Sequence, residues 1–205
     1  MDLLFDGEPG DPVFVLAHGA GAAMEGRGMT DLASRIAAHG IRVVRFEFGY
    51  MAARRSGVRR PPPRADTLLD EYRAVVAEVG GRPVIGGRSM GGRVASMIAD
   101  EQYAAGRISG LVCLSYPWHP PEKPDQPRTA HLLGLQTPTL IVQGTRDPFG
   151  SPDEVAGYGL PSIDMVWLPD GDHDLRPRKA ISGFTAAEHL DTAADAVAAF
   201  VASVA

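Results

Sequence analysis

The chain has 205 residues, 44% of them hydrophobic, and a formal charge of −5. That length suits one well-buried core and is short for two, so a single domain over residues 1–205 is expected. The modest, dispersed charge argues against a nucleic-acid surface, no stretch reaches membrane-spanning length, and the lone Cys113 excludes an intrachain disulfide.

Met1-Asp2-Leu3-Leu4-Phe5-Asp6 is acidic and has no basic n-region or long apolar core, so it does not read as a secretory signal. Cys113 sits in a strand-like apolar run, and a cytoplasmic protein is expected. Val13-Phe14-Val15-Leu16-Ala17 is a continuous apolar run ending at His18-Gly19, as in a strand buried on both faces. A helix over about Gly28 to His39 follows, stopped by Gly40, and then a strand from Ile41 to Phe48. Gly49 to Pro63 is rich in Gly, Arg and Pro without periodicity and reads as an exposed loop. Leu68, Leu69, Tyr72, Val75, Val76 and Val79 form one helical stripe, ended by Gly80-Gly81.

Next comes Pro83-Val84-Ile85-Gly86, then Gly87-Arg88-Ser89-Met90-Gly91-Gly92, then a helix-like run from Arg93. A serine on such a strand-to-helix turn takes a strained backbone, and glycines on either side let other chain approach. The bland reading of Gly-x-Ser-x-Gly is a glycine-rich connection; the functional one is a nucleophile elbow. Leu111 to Ser115, Thr139 to Gln143 and Met165 to Leu168 are further strands. Between the first two, five prolines from Pro117 to Pro127 speak against a helical lid, with a short helix expected near Thr129 to Leu135. A last amphipathic helix carries Leu190, Ala193, Ala194, Val197, Val201 and Val204. Strands alternating with helices predict an α/β fold: a three-layer α/β/α sandwich around a mainly parallel sheet, whose ligands bind beyond the strands' carboxyl ends.

Polar residues just after strands are therefore the candidates. A serine hydroxyl needs an imidazole to take its proton, and the imidazole needs a carboxylate to fix its tautomer. Ser89, Asp147 and His173 each follow a strand, in the chain order nucleophile, acid, base. His39 and His189 read as solvated helix residues, and His119 and His131 as possible neighbours of a pocket. Asp153 reads as a helix-start residue and Asp170 as a rival acid. Asp172-His173-Asp174 lacks the spaced partners of a metal site, so neither metal nor cofactor is expected. An oxyanion needs two fixed N–H donors: Met90 supplies one, and His18-Gly19-Ala20-Gly21 the other, from Ala20 or else Gly19. His18 reads as a brace for that loop rather than a second base.

These residues together resemble the α/β-hydrolase superfamily, from Val13 onward. The stretches Val84 to Arg93, Ser115 to Pro121 and Val142 to Gly150 look like small, lidless members related to dienelactone hydrolase and to the NSL chromatin-complex subunit and its testis-expressed relatives. The resemblance implies a Ser89-Asp147-His173 triad and, because the chain opens near the superfamily's third strand, a trimmed sheet of six or seven strands without a cap domain. A serine stands where dienelactone hydrolases usually carry cysteine, so their lactone substrate is not carried over. The function expected is hydrolysis of a small ester or thioester through an acyl-enzyme, by a monomer or homodimer; the alternative is a protein-interaction module on the same fold. Peptidase activity ranks lower, since peptide selection calls for a cap or propeller. Tyr50, Trp118, His119, Phe149 and Arg88 are the expected pocket residues, with Phe48 and Met51 nearby. Arg54, Arg55, Arg59, Arg60 and Arg64 form the densest basic cluster, by default solvated, otherwise a site for an anionic substrate group or acidic partner.

Overall fold

The computed structural model describes residues 2–58, 60–160 and 163–205. Its strands are β1 (Leu3–Asp6), β2 (Val13–Ala17), β3 (Arg42–Phe46), β4 (Val84–Arg88), β5 (Gly110–Leu114), β6 (Thr139–Gly144) and β7 (Ile163–Leu168). Among the described residues they form one seven-stranded sheet in the order β1-β3-β2-β4-β5-β6-β7, parallel except for β1, which runs antiparallel to β3. Leu3-Leu4-Phe5 thus lies in a true edge strand, joined to β3 also by the paired hydrogen bonds of Arg45 to Asp6 at 2.8 and 3.1 Å.

The helices are α1 (Arg27–Ala37), α2 (Gly49–Ala52), α3 (Leu69–Val79), α4 (Met90–Ala104), α5 (Pro152–Ala156), α6 (Lys179–Ser182) and α7 (Ala186–Val204). Alternate strand residues point to opposite faces. Phe14, Leu16, Val84, Val112 and Val142 therefore pack beneath α1 and α7 with Ile36 and Val197, while Val15, Ile85, Leu111, Cys113 and Ile141 pack with Tyr72, Val76 and Val94 of α3 and α4. A strand buried on both sides has no polar face, which is why β2 and β5 are apolar throughout and β6 is apolar but for Thr139 and Gln143.

Two segments depart from the sequence reading. Gly49 to Ser56 is not irregular: α2 runs into a 3-10 turn at Ala53–Ser56, its first amide taken by Glu71 at 2.6 Å and its Arg55 paired with Glu47 at 3.0 Å. Conversely, Thr129 to Leu135 makes turns, not a helix. Side chains of α4 fasten these turns and the residues just after them instead. Asp100 accepts the Gln136 and Thr137 amides at 3.0 and 2.9 Å, and Ser96 bonds His131 at 2.9 Å.

Candidate active site

Ser89 sits between β4 and α4 with φ 49° and ψ −114°. A non-glycine residue held there stores about 1–3 kcal/mol of strain. Its neighbours hold it in place: the Ser89 amide donates to the Leu114 carbonyl at 2.9 Å, and the Arg93 amide to the Ser89 carbonyl at 3.0 Å. The flanking glycines are there for contact. A Cβ on Gly87 would lie 2.7 Å from the Ala17 carbonyl oxygen, and one on Gly91 2.6 Å from that of His18. The loop after β2 can therefore lie against the elbow. Ala20, Ser89 and Met90 accordingly line one cavity of about 400 Å³. The first amides of a helix have no intrahelical partner, so the Met90 N–H is available at its start.

The loops after β6 and β7 supply the other two groups. His173 Nε2 lies 2.8 Å from Ser89 Oγ, and its Nδ1 2.8 Å from Asp147 Oδ2. The Asp147 carboxylate is fully buried, and two further donors hold it: Gln143 Nε2 to Oδ2 at 2.7 Å and the Phe149 amide to Oδ1 at 2.9 Å. With the carboxylate accepting at Nδ1–H, Nε2 faces the serine as the acceptor. The rival acids are otherwise engaged. Asp170 is ion-paired with Arg178, whose hydrogen bonds hold its carboxyl far below the ordinary range, and Asp172 accepts the amides of Asp174 and Arg176, each at 2.9 Å. Asp153 lies in the first turn of α5, after Ser151 and Glu154 form a capping box.

Two residues brace the loop after β2. His18 accepts the Phe48 amide at Nε2, 3.1 Å, and donates from Nδ1 to the Gly19 carbonyl, 2.7 Å. Burial lowers its pKa, so it is a neutral strut. Tyr50, expected in the pocket, instead donates its hydroxyl to the Ala20 carbonyl at 3.0 Å. Burial pushes that phenol up to about 12, keeping it a donor.

Of the other expected pocket residues, Phe149 lines the cavity, its ring 4.3 Å from that of His173. Trp118 and His119 do not. Trp118 is fully buried because Gly150 leaves room for its indole, with Tyr116 and Tyr158 packed around it. His119 is buried beside Glu154, 3.6 Å away, its Nδ1 against the Pro120 carbonyl. Phe48 and Met51 are core residues. Arg88 points to the His173 loop rather than into the cavity, donating to the His173 carbonyl at 3.1 Å and to Asp174 at 2.6 Å. His189 is buried, not solvated, because the His173 loop folds back over α7 and brings the Leu175 carbonyl to its Nδ1 at 3.0 Å. Of the basic cluster, Arg55 joins Glu25 and Glu47, Arg64 pairs with Asp66 at the cavity, and Arg59 lies outside the described residues. Gln143, Arg93 and Arg128 surround the site without standing out in the sequence as a group. Arg93 flanks the elbow in sequence, whereas nothing in the sequence reading singles out Gln143 or Arg128.

An elbow serine at the end of a central parallel strand, with helices on both sheet faces, defines the three-layer hydrolase plan. The chain belongs to the alpha/beta hydrolase family, whose domain pattern matches residues 10–202. In fold it is similar to an alpha-beta serine hydrolase homologue from Coxiella burnetii (17% identity, 99% of this chain and 91% of that one, TM-score 0.70). It is likewise similar to XC6422 of Xanthomonas campestris, a serine hydrolase without lid (22%, 98% and 88%, 0.67), and to Est1E of Butyrivibrio proteoclasticus (18%, 98% and 93%, 0.66). Among the described residues no helix is long and apolar enough to cross a membrane.

Proposed function

We propose that this protein is a serine hydrolase that cleaves a small carboxylic ester or thioester through an acyl-enzyme. The observation that carries the reading is the unbroken hydrogen-bonded line from Ser89 Oγ through His173 to buried Asp147, opening on a cavity. In acylation Ser89 Oγ attacks the carbonyl carbon as its proton passes to His173 Nε2. The tetrahedral oxyanion is met by the Ala20 and Met90 amides, and collapse expels the alcohol or thiol, which takes the proton from Nε2. In deacylation a water gives its proton to Nε2, its oxygen bonds to the acyl carbon, and Ser89 leaves reprotonated with release of the carboxylic acid. These steps call for no metal or cofactor.

Support for an acyl substrate comes from the structural neighbours, which include Est1E with ferulic acid bound and a thioesterase domain from the curacin biosynthetic pathway. The single, buried Cys113 supports a cytoplasmic setting. Ser89→Ala should lower kcat on 4-nitrophenyl acyl esters by about 10⁴-fold or more with an unchanged melting transition. Fluorophosphonate labelling that persists in Ser89→Ala would refute the assignment.

A further inference from the structure

The cavity beside Ser89 carries charge that the hydrolytic steps do not use. Arg64, Asp66, Arg93 and Arg128 all line it. Arg64 and Asp66 satisfy each other through two hydrogen bonds at 3.2 and 2.7 Å. Arg93 and Arg128 have no acidic partner within ion-pair distance among the described residues, and Arg93 Nε is buried with no hydrogen-bond partner. Burial lowers the pKa of Arg128, and the nearby Arg93 guanidinium lowers it further. The same guanidinium adds to the burial that holds His131, just behind, at about 4. Asp66 feels the Arg93 charge across the cavity, but both its carboxylate oxygens are bonded to Arg64, so two half-buried guanidiniums face one cavity with no carboxylate bound to either, which is unfavourable in the empty protein. An anion placed between them removes that penalty.

Geometry says which part of a substrate carries it. Ser89, Arg93 and Met97 fall at i, i+4 and i+8, so they lie along one stripe of α4 and its cap, and all three line the cavity. Ala20 and Met90 stand at the same end as Ser89, whereas His173 is outside the lining. The leaving group must face His173 Nε2 to receive its proton, so the group that runs down the stripe toward Arg93 is the acyl chain.

From this we infer that the acyl part of the substrate ends in a carboxylate held by Arg93 and Arg128, making the preferred substrates short half-esters or half-thioesters of dicarboxylic acids. The inference rests on the serine-hydrolase reading of the same site. Guanidinium–carboxylate pairs suit it because they are planar, bidentate and strong. The apolar wall of Met97, Pro117 and Phe149 accommodates the methylene chain between the reacting carbonyl and the terminal charge.

The test compares the mono-4-nitrophenyl ester of adipic acid with 4-nitrophenyl hexanoate, a neutral ester of equal chain length. The wild type should favour the half-ester in kcat/KM, and that preference should fall at least tenfold in Arg93→Gln and in Arg128→Gln. For wild type alone, so that a misfolded variant cannot decide the matter, the half-ester rate should fall with added salt while the hexanoate rate holds. Free adipate should inhibit competitively and more strongly than inorganic phosphate. No preference for the half-ester, a preference unmoved by either substitution or by salt, or stronger inhibition by phosphate would overturn the inference. A wild type that turns over neither ester and takes no fluorophosphonate label would instead overturn the hydrolase reading. In that event, calorimetric binding of adipate, abolished by Arg93→Gln, would still separate the two.

Discussion

The proposed role of Ser89 depends on residues that never touch a substrate but leave space around it. Gly91 shows how narrow that space is. A methyl there would meet the His18 carbonyl oxygen at 2.6 Å and the Ala17 side chain at 2.8 Å, both on the strand and loop that present Ala20. The helix cannot yield without moving Ser89, nor the loop without moving Ala20, the proposed oxyanion donor. Gly91→Ala should therefore cost about 1–3 kcal/mol in denaturant unfolding, and it should lower kcat by more than the lost stability explains; wild-type kcat in the folded variant would refute the close-packing account. The candidate triad was legible at this scale because Ser89 directly follows an apolar strand and Asp147 and His173 fall in the short loops after two later ones. Gln143, which holds Asp147, was not: within Leu140-Ile141-Val142-Gln143 it reads as one polar residue in a strand, and only the turn back at Gly144 brings its amide to the carboxylate. Trp118 and His119 follow a strand as Asp147 does, yet they are buried, because Gly150, far along the chain, opens the space that the indole fills.

At the scale of elements, the strands and long helices could be read from periodicity because each is covered by its own sheet contacts. What periodicity does not report is how a helix is fastened to the sheet. Tyr72 belongs to the apolar stripe of α3, but its hydroxyl reaches through the layer to backbone: it takes the Gly86 amide at 2.9 Å and lies 2.6 Å from the Gly86 carbonyl and 3.2 Å from that of Val15. Burial drives the phenol's pKa far up, so it stays protonated and donating. Gly86 is needed for a separate reason: a Cβ there would lie 1.9 Å from the Val112 carbonyl oxygen of the neighbouring strand and 3.0 Å from Phe14. Tyr72→Phe keeps the packing and leaves a buried amide without its partner, which costs about 1–3 kcal/mol. The loss should appear in the urea midpoint and in faster amide exchange at Gly86; a midpoint equal to wild type would show that water replaces the hydroxyl. The segments that periodicity misread, α2 and the turns over Thr129 to Leu135, are tied to other elements: Glu71 takes the first amide of α2, and Asp100 takes the Gln136 and Thr137 amides just after the turns.

For the molecule as a whole, the cavity draws its positive side from Arg93 on α4 and from Arg128 in the crossover between β5 and β6, and that crossover contains a histidine whose titration reports the fold. The Ser96 hydroxyl donates to the Arg93 carbonyl at 2.7 Å, so at 2.9 Å it accepts from His131 Nε2–H. Tyr116, 3.5 Å away, donates its own hydroxyl to the Arg128 carbonyl. His131 is thus neutral in the fold, held down to about 4 first by burial and then by Arg93, against an ordinary value of 6.5. Between those two pH values the unfolded chain binds a proton that the folded chain refuses. The stability that neutral His131 contributes is accordingly complete above 6.5 and is lost as pH falls toward about 4. The imidazole keeps some access to solvent, which blunts the effect below that of a fully buried group. His131→Gln keeps a side-chain N–H for Ser96 and removes the titration. Its urea midpoint should therefore fall less steeply than wild type's over that window, while the two run parallel above it. Equal slopes would place the acid sensitivity elsewhere, and a His131 ring resonance titrating at its ordinary value would show that the crossover does not exclude the proton.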